Sequence, residues 1–148
     1  MKTYFDHEKL DVYREAIAFC GWTGELLNSI SAKAAAKDQL DRASTSIPLN
    51  IAEGNGKFTP ADRCRFFDNA RGSALECSAC LDVAVAKRFA VKEDVSRGKM
   101  IMVQVASMLF GLIRSNSDIR VFETSPEYTA KKTNRNKIRN TNKRRRAR

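Results

Sequence analysis

Apolar side chains recur at steps of three and four through most of this chain, and no stretch alternates apolar and polar residues between hairpin turns. That spacing builds one face of an α-helix rather than a half-buried strand, so the chain is restricted to helix-on-helix packing. A first helix is predicted from about His7 to Ile30, with Leu10, Tyr13, Ile17, Cys20, Gly24 and Leu27 facing inward. The small, polar stretch Ser29 to Lys37 reads as a connection. A second helix follows over Asp38 to Gly54, its apolar face carried by Leu40, Ala43, Ile47 and Ile51. Pro48 lies inside it, so this helix is expected to be kinked there or split in two.

Gly54, Asn55 and Gly56 tolerate left-handed backbone and mark the end of that helix. Thr59 can cap the next one, Pro60 suits its first position, and Asp62 adds a carboxylate to its first turn. The third helix is predicted from Pro60 to about Phe89, with Cys64, Phe67, Ala70, Ala74, Cys77 or Ser78, Leu81 and Val85 inward. The fourth runs from about Lys92 to Ser115 through Val95, Met102, Val105, Leu109 and Leu112. Four long helices on short connections predict an all-α fold, an antiparallel up-and-down four-helix bundle. Ile119 to Tyr128 is expected to cross the bundle end through Val121 and Phe122. The domain reading is therefore a bundle over residues 1–128 and a disordered basic tail over residues 129–148.

The chain has 148 residues and a formal net charge of +10. All of that charge falls in the tail. Lys131, Lys132, Arg135, Lys137, Arg139, Lys143, Arg144, Arg145, Arg146 and Arg148 are uncompensated, whereas the first 130 residues hold 17 basic and 17 acidic side chains. A solubility element is one reading of such a run. The other is a polyanion-binding arm, since each neutralised phosphate releases counterions. Nucleic acid is favoured over membrane because no amphipathic apolar face accompanies the charges. No aromatic residue lies in the tail, so it carries charge without base readout. Arg63, Arg65 and Arg71 on the third helix, extended by Arg42 and Lys57, form a second candidate nucleic-acid surface. Ordinary pairing of these arginines with Asp62, Asp68 and Glu76 is the competing explanation.

Signals for catalysis are weak, and no catalytic residue, cofactor or metal is assigned. The sole histidine, His7, sits at a helix start and suits capping or solvent contact. There is no phosphate-binding glycine loop. Cys77 and Cys80 form a C-x-x-C that falls mid-helix without a second ligand pair, which favours core thiols over zinc. Four cysteines in a body of this size do not form a disulfide framework. With no apolar run over Met1 to Lys9 and no long apolar segment, the expected location is the cytoplasm, without membrane attachment.

The least generic stretch is Ser44 to Gly54, STSIPLNIAEG, in which Asn50 and Glu53 place polar groups on a packing helix just after Pro48. They are read as satisfying backbone groups freed by Pro48 or bridging to a neighbouring helix, with a binding role as the alternative. Ser46, Ile47, Pro48, Asn50, Ile51, Ala52, Glu53 and Gly54, then Arg65 and Phe66, then Gly72, Ser73 and Glu76 give the chain its family likeness. Over about Leu10 to Glu123 it resembles the four-helix-bundle family of 23S rRNA intervening-sequence proteins and the accessory variability determinant (Avd) proteins of diversity-generating retroelements. The resemblance implies a homo-oligomer, a pentameric barrel, in which Pro48, Asn50, Glu53 and Gly54 are structural. For the retroelement branch it implies a reverse transcriptase partner and binding of RNA or DNA during template copying. Of three readings, the first is a non-enzymatic nucleic-acid-binding accessory protein of the Avd kind and the second a structural scaffold of the rRNA intervening-sequence kind. A zinc protein or enzyme centred on Cys77 and Cys80 is the third.

Overall fold

The computed structural model describes residues 2–30 and 34–117, with Ala34 as backbone only. A 3₁₀ turn over Asp6–Lys9 leads into α1 (Asp11–Ser29), α2 (Ala34–Gly56), α3 (Pro60–Ala86) and α4 (Lys92–Asn116). Among the described residues there is no strand. Helix α1 packs on α2 and α4, and α3 packs on the same two, so the helices form the ring expected of an up-and-down bundle. The predicted crossing at Ile119 to Tyr128 and the tail lie outside the described residues.

The start of α3 follows the sequence signals closely. Asp62 N–H donates to Thr59 Oγ1 at 3.1 Å, and the Thr59 hydroxyl donates to Asp62 Oδ2 at 2.8 Å, with Pro60 in the first turn. Its end does not follow them. The predicted helix to Phe89 stops at Ala86 because Arg88 adopts a left-handed backbone, φ 60°. Arg88 N–H then reaches Val85 O at 3.0 Å and Phe89 N–H reaches Ala84 O at 2.9 Å. This is the Schellman pattern, with arginine at the position glycine usually takes.

Helix α1 begins later and faces inward differently than predicted. Leu10 is extended (φ −75°, ψ 126°) and separates the 3₁₀ turn from α1. The buried stripe is Val12, Ala16, Phe19, Thr23 and Leu26, about one residue, or roughly 100°, from the predicted one. Ile17 is 47% exposed and Gly24 is exposed, whereas Leu10, Tyr13 and Leu27 flank the core half-buried. Phe19 decides the rotation: its ring is fully buried and stacks on Trp22 at 5.4 Å. Trp22 in turn covers Gly98 of α4, where any β-carbon would overlap the indole.

In α2 the predicted Leu40, Ala43, Ile47 and Ile51 are all buried, and Pro48 sits inside one continuous helix that is not split. Proline lacks the N–H that would bond Ser44 O. The Cys20 thiol of α1 donates to that carbonyl at 3.3 Å instead. Asn50, expected to serve the freed group, bonds Ser46 O at 2.8 Å and Ser46 Oγ at 3.0 Å. Glu53 pairs with Lys57 at 3.1 Å. No glycine in the described structure has positive φ, so Gly54 is not a left-handed terminator. It is buried against α3, and a β-carbon there would lie 2.9 Å from the Phe67 ring.

Phe67, Ala70, Ala74, Cys77, Leu81 and Ala84 form the inner face of α3, with the predicted Cys64 and Val85 only half-buried. Val95, Gly98, Met102, Val105 and Leu109 form that of α4, with Leu112 half-buried. Each large side chain so buried contributes roughly 1.5–3 kcal/mol relative to exposure.

Candidate nucleic-acid interface

Two strings of family-like residues meet across one seam. Ser46 Oγ of α2 and Ser73 Oγ of α3 lie 2.9 Å apart, and the Asn50 amide holds Ser46 from the next turn. Farther along, Gln39 donates to the Glu76 carboxylate, while Gly54 receives Phe66 and Phe67. Within this stretch Ser46 and Gly54 meet α3, while Asn50 and Glu53 bond within α2.

The tail cations, Lys131 to Arg148, lie outside the described residues. On α3 the three arginines do not gather into one patch. Arg63 is in line with Phe67, Ala70 and Ala74, half-buried, and its Nε has no hydrogen-bond partner. Arg65 sits roughly 160° around the helix from Arg63 at about 100° per residue. It lies 3.5 Å from Asp62 Oδ1. Arg71, beyond them along the helix, lies 3.5 Å from Asp68 Oδ1. The expected pairing with Asp62 and Asp68 is present, whereas Glu76 is taken by Gln39. Arg42 bonds Gln39 at 3.3 Å. Exposed pairs of this kind are worth about 0–1 kcal/mol, so Arg65 and Arg71 can exchange a carboxylate for a phosphate at little cost.

Lys57 and Arg65 converge on one ring. Lys57 Nζ lies 4.7 Å and Arg65 Cζ 5.0 Å from the Phe66 centroid, which joins the end of α2 to the start of α3 through cation–π contacts. At the same end of the bundle the 3₁₀ turn touches both α1 and α2. There the His7 ring stacks on Phe5 at 5.7 Å and meets the edge of Tyr13 at 4.7 Å, so it packs among aromatics rather than capping a helix. Tyr4, Phe5 and Phe58 are the most exposed aromatic rings among the described residues, and all three lie at this end. Sequence reading passed over them. Their signal was present in the runs Lys2-Thr-Tyr-Phe and Lys57-Phe58, which place rings beside cations at a chain start and in a turn.

The opposite end holds a cleft of about 500 Å³ between α2 and α3, lined by Leu27, Leu40, Ala79, Cys80 and Phe89 among others. Burial pushes the Cys80 thiol up from its ordinary value, and Cys77, wholly buried, is pushed up to about 12. Both are therefore protonated near neutral pH, as packing thiols are.

A family model described as 23S rRNA-intervening sequence protein matches residues 8–111. A crystal structure from Bacteroides thetaiotaomicron, described as a protein with unknown function from the S23 ribosomal protein family, is similar in fold. It has a TM-score of 0.65 and 20% sequence identity, over 70% of this chain and 98% of its own. Among curated proteins there is no match.

Proposed function

The chain belongs to the 23S rRNA-intervening sequence protein family, and from that premise we propose that it is a non-enzymatic, homo-oligomeric nucleic-acid-binding accessory protein. The observation that carries this reading is the division of charge. Ten uncompensated cations follow Thr129, after a body whose charges cancel. On this reading the bundle sets the number and position of tails, and the tails hold RNA or DNA through phosphates. The finer assignment is an Avd-like partner of a reverse transcriptase, keeping template RNA or cDNA beside the polymerase. Exposed Leu49, Met100 and Val103 on the outer faces of α2 and α4 support association of copies, and a pentamer is proposed. Five linked tails would add avidity that one weak tail lacks.

Anisotropy titration of labelled RNA against full-length protein and a form lacking residues 129–148 tests the tail. Affinity is expected to fall steeply with salt for the full chain, and at low salt to drop at least about tenfold on truncation. Equal affinity of the two forms would overturn the role of the tail. Native mass spectrometry tests the assembly, expected at five times the 16.6 kDa chain mass.

The family description favours a second reading, a scaffold of the rRNA intervening-sequence kind whose barrel organises other proteins. A protein partner recovered after nuclease treatment, with no RNA retained, would select it.

A further inference from the structure

We infer that the bundle end formed by the start of α1, the end of α2 and the start of α3 is a stacking platform for unpaired bases of single-stranded nucleic acid. The inference rests on the nucleic-acid reading above and supplies what the tail lacks, since ten cations without an aromatic cannot distinguish a single strand from a duplex.

Tyr4 and Phe5 are 74% and 65% exposed, and Phe58 is fully exposed. A folded chain loses roughly 1.5–3 kcal/mol for each such ring left in water. Three rings are left exposed at one end, with none comparably exposed elsewhere among the described residues, so exposed aromatic area is concentrated there. The Phe5 ring and the backbone at Tyr4 and Phe58 are also held in place. Phe5 stacks on His7, which packs on Tyr13 of α1, and Tyr4 N–H donates to Glu8 Oε2 at 2.7 Å. Phe58 lies in a turn anchored on one side by Lys57 N–H to Gly54 O, 3.2 Å, and on the other by the Thr59 cap. A backbone fixed before binding reduces the entropy lost when a base stacks on the rings it carries.

The cations around the rings point to a nucleic acid rather than a protein face. Lys2 Nζ lies 5.6 Å from the Tyr4 centroid, and Lys57, next to Phe58 in sequence, shares the Phe66 ring with Arg65 where α2 meets α3. Glu53 and Asp62 pair with Lys57 and Arg65, and Asp6 and Asp11 with Lys9 and Arg14, which balances much of the charge at this end. Phosphate attraction at the platform is therefore modest, and stacking carries the interaction. Every base offers a π-face to a ring when unpaired, and a duplex hides those faces, so the platform selects single strands without selecting sequence.

The test uses full-length protein and labelled, unstructured RNA and DNA single strands of about 20 nucleotides, with the matching duplex as control. The variant carrying Tyr4→Ala, Phe5→Ala and Phe58→Ala is expected to bind either single strand about tenfold or more weakly while duplex binding changes less than about twofold. Phe58→Trp should keep full affinity, and its fluorescence should be quenched by the single strand and not by the duplex. Unchanged single-strand affinity in the triple variant, or an absence of quenching, would overturn the platform, including in favour of a protein occupant. Wild-type binding that still depends on residues 129–148 would then leave the nucleic-acid reading standing. Equal losses on single strand and duplex would also overturn it, since the selectivity would be missing. Wild-type protein that binds no oligonucleotide at low salt would overturn both readings together.

Discussion

The seam between α2 and α3 and the seam between α1 and α4 hold the bundle by different means. The first is directional: Ser46 meets Ser73, Gln39 meets Glu76, and Gly54 admits the Phe67 ring. The second is apolar and includes a shape fit, the Trp22 indole over Gly98. Hydrogen bonds between fixed partners specify register, whereas a ring on a glycine specifies distance and rotation. The polar seam coincides with the family-like residues. The apolar seam has no motif, although it sets which side of α1 faces the core.

The contrast is broken most severely at Gly98. Gly98→Ala should destabilise the protein by about 3 kcal/mol, because the new methyl must displace a large ring from a packed core. Hydrogen exchange should show α1 amides losing protection before those of α2 and α3. Equal loss across all four helices would mean that α1 is no more dependent on a single fit than the rest. Gly54→Ala comes next, at about 1–2 kcal/mol by denaturant melts, since the Phe67 ring has only a few tenths of an ångström to give.

A double-mutant cycle on Ser46 and Ser73 sharpens the directional side. Each alanine should cost about 1 kcal/mol, Ser46 more because Asn50 also depends on it, with a coupling energy of about 0.5 kcal/mol or more. Additive losses would deny the pair any register role. The smallest effect is expected at Cys20→Ala, about 0.5 kcal/mol by the same melts, as a thiol is a weak donor to the Ser44 carbonyl left free by Pro48. A loss as large as that of Ser46→Ala would place α1 under directional control as well.

The candidate interface was legible in unequal parts. Tail charge is a property of composition and can be read directly. Arg63, Arg65 and Arg71 are close in sequence, but a helix turns about 100° per residue, which leaves Arg63 half-buried and Arg65 exposed, a difference that proximity in sequence does not show. Exposed rings were missed for a related reason. An aromatic in an apolar-rich chain is assigned to the core by default, and only the packed bundle shows that Tyr4, Phe5 and Phe58 stay outside it.

The sequence alone determined the number of helices among the described residues, the start of α3 with its Thr59 cap, the start of α4, and most of the inner faces of α2, α3 and α4. Those features follow from local spacing and from side chains that act on their own backbone. Tertiary structure decided the face of α1, where two stripes fit helical spacing equally well and the burial of Phe19 with Trp22 on Gly98 chose between them. It also decided that Arg88 ends α3, that Gly54 serves close approach, and that Cys20 meets the carbonyl freed by Pro48. Each of these depends on atoms of another helix or on a backbone angle the local sequence does not favour, and periodicity within one helix carries no information about either.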